Sequence, residues 1–244
     1  MYENILFDLY GTLIDIRTDE EMPELWEKMA VYYSERGAEY TADEIQKEYV
    51  RLVAEEKKRV AKAYPEYKMI DIPIENVFEK LYTLKNVGVQ KKGQDFVNDT
   101  AAYFRKSSTL FIKLYDGVIE LMEYLKSNKK HVYLLSNAQH TFTMNEIKEL
   151  GLYDYFDDIF ISSDYCVSKP DTHFYEKPLG KYNMDRSKTI MVGNDYISDM
   201  KGAHDAGIDG LYIHQEISPD IEGEVIAKWK IMDGDVHKIK EYLS

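Results

Sequence analysis

Between Val118 and Ile213 the chain alternates helical stripes with short apolar runs, and most of these runs lead into polar residues. The stripe Val118, Leu121, Met122 and Leu125 precedes the run Val132-Tyr133-Leu134-Leu135. Helices around residues 141–150, 172–182 and 199–206 then separate Ile159-Phe160-Ile161, Thr189-Ile190-Met191-Val192 and Gly210-Leu211-Tyr212-Ile213. Helical spacing in the stripes and unbroken apolar character in the runs predict amphipathic helices and fully buried strands. Such alternation builds a doubly wound, Rossmann-like α/β core, a parallel sheet covered on both faces. Ligands of these sheets bind at the carboxyl ends of the strands. The tail, with residues 227–232 and a helix-like stretch at 236–243, is expected to complete the sheet's edge.

One more buried run, Ile5-Leu6-Phe7, opens the chain, and the pattern then turns helical up to about residue 110. Met22, Leu25, Trp26, Met29 and Tyr33 share one helical face, and Ile45, Tyr49, Leu52, Val53 and Val60 a second. Ile74, Val77, Phe78, Leu81 and Tyr82 make a third stripe, and Phe96, Val97, Ala101 and Phe104 a fourth. Turn signals at Arg36-Gly37, Tyr64-Pro65 and Lys92-Gly93 divide them. The expected organisation is a core domain of residues 1–16 and 111–244, with a helical domain of residues 17–110 inserted after the first strand. The sequence holds no internal repeat and no low-complexity segment.

A chain of 244 residues, 44% hydrophobic and 31% charged, has the composition of a globular protein able to bury a sizeable core. Its net charge of −13 argues against a nucleic-acid partner, because phosphate backbones are bound through basic surfaces. A small phosphorylated substrate stays open, since one metal ion or lysine reverses the local field. The lone Cys166 rules out an intramolecular disulfide, fits a reducing compartment, and is expected to be a buried, inert thiol. The start Met1-Tyr2-Glu3-Asn4 lacks a signal-peptide pattern and no apolar run approaches a membrane span, so a cytoplasmic location without membrane contact is expected. The six histidines show no metal-ligand spacing; only His140 and His173 fall near strand ends. Nothing in the sequence speaks to oligomeric state.

The polar strand ends carry the chemistry. Asp8 leaves the first strand, followed by Tyr10, Gly11 and Thr12. A carboxylate ahead of a glycine turn, whose N–H groups and hydroxyl can hold an anion, is well placed as a nucleophile. Ser136-Asn137 follows the second strand, Lys169-Pro170 the third after a short loop, and Gly193-Asn194-Asp195 with Asp199 the fourth. Singly, each has a plainer account as a turn, a helix cap or a surface loop. Together, on one rim of a doubly wound sheet, they are better explained by a site.

In this order the segments resemble the four motifs of the haloacid-dehalogenase-like (HAD) hydrolase superfamily. Asp8-Leu9-Tyr10-Gly11-Thr12 is similar to motif I, usually D-x-D-G-T, and residues 191–203 are similar to motif IV in their V-G start and G-A finish. The helical insertion is similar to the family's cap by position and composition. The resemblance implies that Asp8 is the nucleophile, that Ser136 holds the transferred group, and that Lys169 neutralises developing charge. Tyr10, Gly11, Thr12 and Asn137 would contact a small-molecule substrate lying between core and cap. A carboxylate attacking a phosphate needs a cation to offset their repulsion. Magnesium would take Asp8, the backbone carbonyl of Tyr10 and the Asn194, Asp195 and Asp199 cluster as hard oxygen ligands. Arg17, Arg51 and Arg105 are the insertion's candidates for a substrate anion, while Lys201 reads as solvated.

Tyr10 stands where the family's phosphatases carry a second aspartate that protonates the leaving alkoxide. A phenol of ordinary pKa about 10 is a poor substitute near neutrality. Tyrosine at this place resembles the L-2-haloacid dehalogenases, which expel halide and need neither acid nor metal. Motif IV weighs the other way: the dehalogenase pattern there is small and neutral, whereas Asn194, Asp195 and Asp199 suit a cation. Asn194 itself replaces the aspartate that usually binds the metal. The expectation is a magnesium-dependent phosphatase working through an aspartyl-phosphate on Asp8. The alternatives are a metal-independent 2-haloacid dehalogenase and a weakly catalytic metabolite- or partner-binding protein.

Overall fold

The computed structural model describes residues 1–86 and 92–243. The chain runs through β1 (Asn4–Phe7), β2 (Ile14–Thr18), the helices α1 (Pro23–Ser34), α2 (Ala42–Ala63), α3 (Glu75–Lys85) and α4 (Gln94–Ser108), and then β3 (Thr109–Leu114). It continues through α5 (Val118–Ser127), β4 (His131–Ser136), α6 (His140–Glu149), β5 (Asp158–Ile161) and the single turn α7 (Ser162–Tyr165). The elements α8 (Thr172–Lys181), β6 (Thr189–Gly193), α9 (Gly202–Asp205), β7 (Asp209–Ile213), β8 (Trp229–Ile231) and α10 (Ile239–Leu243) follow.

Six strands form one parallel sheet in the order β5-β4-β1-β6-β7-β8. From β1 the chain builds outward through β4 to β5, then crosses back to β6 and continues through β7 to β8. The reversal beside β1 opens a crevice at its carboxyl end, where Asp8 sits. Ile5, Leu6 and Phe7 are fully buried, as a strand paired on both sides and covered on both faces requires. Ile5 and Phe7 face a cluster with Leu121, Leu125 and Ile239, while Leu6 faces Tyr133, Phe174 and Met200 on the other side. The expected α/β core is present, with β8 as its edge strand.

The helices α1 to α4 bury their stripes against one another: Leu25, Met29, Tyr33, Ile45, Leu52, Val60, Phe78 and Phe104 share one cluster. Phe142 of α6 joins that cluster and ties it to the core. α2 begins with a reciprocal capping box between Thr41 and Glu44. No helix among the described residues is long and apolar enough to cross a membrane.

Three features depart from the sequence reading. The two ends of the insertion pair as an antiparallel ribbon, β2 with β3, matching Ile14 to Leu114 and Ile16 to Ile112. These strands are short and half-exposed, so their pattern does not stand out from loop. The helix expected at residues 199–206 begins earlier, with a π-helical turn over Tyr196–Lys201. Cys166 is only partly buried and adopts a left-handed conformation (φ +57°) rather than lying in the core; burial still pushes its thiol up.

Candidate active site

The first strand extends into Asp8, whose N–H donates to the Val192 carbonyl at 2.9 Å. The next turn winds tightly, with the Leu9 carbonyl accepting from the N–H groups of Thr12, Leu13 and Ile14 at 3.2, 2.8 and 2.9 Å. Gly11 is required on two grounds. Its φ is +82°, and a Cβ there would fall 2.2 Å from Asn194 Nδ2. The buried Thr12 hydroxyl lies 3.2 Å from Asp8 Oδ2 and 3.3 Å from Asn194 Oδ1, joining the ends of β1 and β6.

Lys169 Nζ donates to Asp8 Oδ1 and to Asp199 Oδ1, both at 2.7 Å, and Lys169 and Asp199 are almost wholly buried. Asp199 Oδ2 accepts the Asp195 N–H at 2.9 Å. A Cβ on Gly193 would sit 2.2 Å from that same oxygen, so the glycine lets the carboxylate fold against the strand end. Burial pushes Asp199 up to about 7, with Lys169 pulling it down and Asp8 pushing it further up. Burial pulls Lys169 down, but the two carboxylates outweigh it and hold the ammonium above its ordinary range.

Asn137, expected to contact substrate, lies against the Lys169 backbone. Its Oδ1 accepts the Lys169 N–H at 2.8 Å and its Nδ2 donates to the Lys169 carbonyl at 2.9 Å. Each end of the amide makes one bond that holds the Lys169 backbone. Ser136 is fully buried, and its Oγ has no hydrogen-bond partner among the described residues. An unmatched buried hydroxyl costs about 1–3 kcal/mol, so its presence at a strand end suits a ligand oxygen. Neither residue caps α6, whose N-cap is Gln139.

Asp195 is spent on local structure. Its Oδ1 accepts from the N–H groups of Ile197 and Ser198 at 2.8 and 2.9 Å, and its Oδ2 accepts from Ser198 Oγ at 3.0 Å. It caps the π-helical turn. Among the described residues no three His, Cys, Asp or Glu side chains form a metal-holding group. The side-chain oxygen that β6 brings toward Asp8 through Thr12 is the amide oxygen of Asn194.

The Tyr10 hydroxyl donates to Glu146 and lies 3.0 Å from Thr143 Oγ1. Burial pushes the phenol above its ordinary value, and the Glu146 charge adds to the shift. Arg105 of α4 donates from Nε to Glu146 Oε1 at 2.6 Å and stands 5.5 Å from the Tyr10 ring centre. Of the three candidate arginines it alone reaches motif I: Arg17 is exposed on β2, and Arg51 pairs with Glu48 and Glu55 on the outside of α2. A cleft of about 410 Å³, lined by Arg105, Lys106, Thr141, Phe142, Asn145 and Glu146, lies alongside and meets the site through Glu146 rather than Asp8.

Glu146 was missed by the sequence reading. Its signal is positional: it shares the buried face of α6 with Phe142, Thr143 and Ile147, where a carboxylate needs a reason. His140 pairs with Asp164 and His173 with Asp171, at 2.9 and 2.8 Å, rather than with Asp8 or Lys169. Lys201 pairs with Asp205 on the surface.

Fold and strand-end motifs together define a hydrolase of the HAD type. The family model for haloacid dehalogenase-like hydrolases matches residues 2–207, and the chain belongs to that family. The pyrimidine 5'-nucleotidase PynA of Streptococcus pneumoniae is 24% identical over 226 residues, covering 86% of this chain and 83% of that protein. The magnesium-bound structure of the HAD-hydrolase YfnB from Bacillus subtilis shares the fold at a TM-score of 0.57 and 19% identity, covering 99% of this chain and 98% of that one. The 2-haloacid dehalogenase of Pseudomonas syringae pv. Tomato DC3000 shares it at a TM-score of 0.68 and 18% identity, covering 100% of this chain and 98% of that one.

Proposed function

We propose that this hydrolase is a magnesium-assisted phosphatase of a small phosphorylated metabolite, with Asp8 as nucleophile and the helical domain of residues 17–110 as its cap. The observation that carries the reading is the meeting of Asp8 Oδ2 and Asn194 Oδ1 at the Thr12 hydroxyl. Two carboxylates, Asp8 and Asp199, share the single ammonium of Lys169 there. The hard oxygens of Asp8 and Asn194 fit a hard divalent cation. Asp8, the Tyr10 backbone carbonyl and Asn194 would hold magnesium, which supplies the charge that lets an anionic substrate meet a carboxylate. Asp199 stays with Lys169, and Asp195 with its helix.

The protein's own groups then divide the work. Lys169 holds the Asp8 carboxylate in place through Oδ1, and that carboxylate attacks phosphorus. The bond from Asp8 to phosphorus forms as the bond to the leaving oxygen breaks, and the leaving group departs with the electron pair. Ser136 Oγ donates to a phosphoryl oxygen and gains the partner it otherwise lacks. Water then cleaves the aspartyl-phosphate, returning the Asp8 carboxylate and inorganic phosphate. Cap closure excludes bulk water. The likeness to a pyrimidine 5'-nucleotidase supports phosphoryl chemistry over dehalogenation.

The leaving group tests this reading. Tyr10 commits its proton to Glu146, so no strong acid waits for a departing alkoxide. General acid catalysis contributes 10²–10⁴-fold, so aryl and acyl phosphates should be turned over at least about 100-fold faster than alkyl phosphates at neutral pH. Equal rates for the two classes contradict the assignment.

A further inference from the structure

An aspartate presents an oxygen whichever way its carboxylate turns. An asparagine does so in only one of two orientations, and the other presents an N–H₂ donor. At position 194 the flipped amide would aim that donor toward Thr12 and the Asp8 carboxylate, an attractive contact that turns the oxygen away from a cation. Asn194 therefore needs a partner that selects its orientation.

Ser218 has the right place and the right chemistry. Asn194 Oδ1 faces the Thr12 hydroxyl at 3.3 Å, while Nδ2 donates to Ser218 Oγ at 3.2 Å. Ser218 Oγ also accepts the Gln215 N–H at 2.9 Å and turns its own proton to the Tyr212 phenol, so it meets Asn194 as an acceptor. The Ser218 N–H returns to the Gln215 carbonyl at 3.0 Å and closes a tight turn after β7. That turn is anchored: the buried Gln215 donates from Nε2 to the Gly234 carbonyl at 2.9 Å, and a Cβ on Gly234 would fall 2.6 Å from Gln215 Oε1. Asn194 is itself buried, so water does not compete freely for its amide. Ser218 also lies beyond residue 207, where the match to the family model ends.

We infer that Ser218 is a positioning residue that holds the Asn194 amide with its oxygen toward Asp8. This lets a neutral side chain serve as a metal ligand where a carboxylate would need no such help. The inference rests on the magnesium-assisted reading above. A partner that orients a metal ligand is typically worth ten- to a hundredfold in affinity.

The test is magnesium titration by calorimetry on the substrate-free protein, with thermal melting to check folding. Ser218→Ala and Ser218→Cys should each weaken magnesium binding about tenfold, and Ser218→Thr, which keeps the hydroxyl, should bind within about twofold of the parent. In an Asn194→Asp background the Ser218→Ala change should alter affinity less than about twofold, because a carboxylate has no wrong face. Equal magnesium affinity for the parent and both Ser218 truncations overturns the inference. A Ser218→Ala loss that is the same with and without the Asn194→Asp change also overturns it, since that marks a merely structural role. A parent protein that binds no magnesium overturns the metal reading itself, and the inference with it.

Discussion

Tyr10 gives its hydroxyl proton to Glu146, away from the chemistry that an aspartate at this position would perform. The contact is held from the far side by Arg105, which bonds the other oxygen of the same carboxylate. Tyr10→Phe should therefore keep kcat on an aryl phosphate within about threefold, because no catalytic proton is lost. Stability should fall by about 2 kcal/mol, the worth of a hydrogen bond to a buried charged group. Steady-state kinetics and urea denaturation check both halves. A hundredfold loss in kcat with stability unchanged would mean that the phenol is the acid after all.

Lys169 balances two buried carboxylates at once. Lys169→Ala leaves Asp8 and Asp199 facing each other without a counter-ion. Its kcat should fall by about 10³ or more, the scale seen when a group stabilising transition-state charge is removed. Asp199, pushed up by burial and held down by Lys169, should take up a proton in its absence, so the stability loss should stay below about 3–5 kcal/mol, the cost of an unpaired buried charge. Single-turnover assays and denaturant midpoints read the two effects, and a variant within tenfold of the parent would remove Lys169 from the mechanism.

Glu56 offers a test of the helical insertion that is independent of catalysis. Its carboxylate is fully buried on α2, with Oε1 accepting from Arg59 and Asn76 at 2.7 and 2.6 Å and Oε2 accepting from Lys80 at 2.8 Å. Burial pushes it up, but these three donors outweigh burial and bring it down to about 2 from 4.5. A depressed folded-state pKa stabilises the fold above the unfolded value, and that stability is lost as pH falls through the folded one. Glu56→Gln should cost about 3 kcal/mol at pH 7. The gap between parent and variant should close progressively from pH 4.5 to about 2. Urea unfolding at a series of acid pH values measures it; a gap that stays constant over that range contradicts the ionised, three-donor description.

The core and the motif positions were legible in the sequence because buried parallel strands read as unbroken apolar runs. Their polar ends then fall on one rim by topology alone. Asp8, Ser136, Lys169 and Asn194 could be placed that way. Side-chain direction could not. Asn137 and Asp195 stand beside motif residues in sequence, yet one holds the Lys169 backbone and the other caps a helical turn. Glu146 and Ser218 carry no motif at all, and only the packing of α6 against α4 and the turn after β7 brings them to the site. The β2–β3 ribbon escaped because half-exposed strands of this length lack the periodicity that identifies a strand.

The central claim is that Asp8 attacks phosphorus with the help of magnesium, and parallel product assays on one preparation address it most directly. Phosphate release from an aryl phosphate is followed with magnesium and with chelator, beside chloride release from 2-chloropropionate, and each is repeated with Asp8→Asn. The account predicts phosphate release that needs magnesium, no chloride release, and loss of all turnover in Asp8→Asn. Chloride release in the presence of chelator, without phosphate release under any condition, would contradict it and make the chain a dehalogenase.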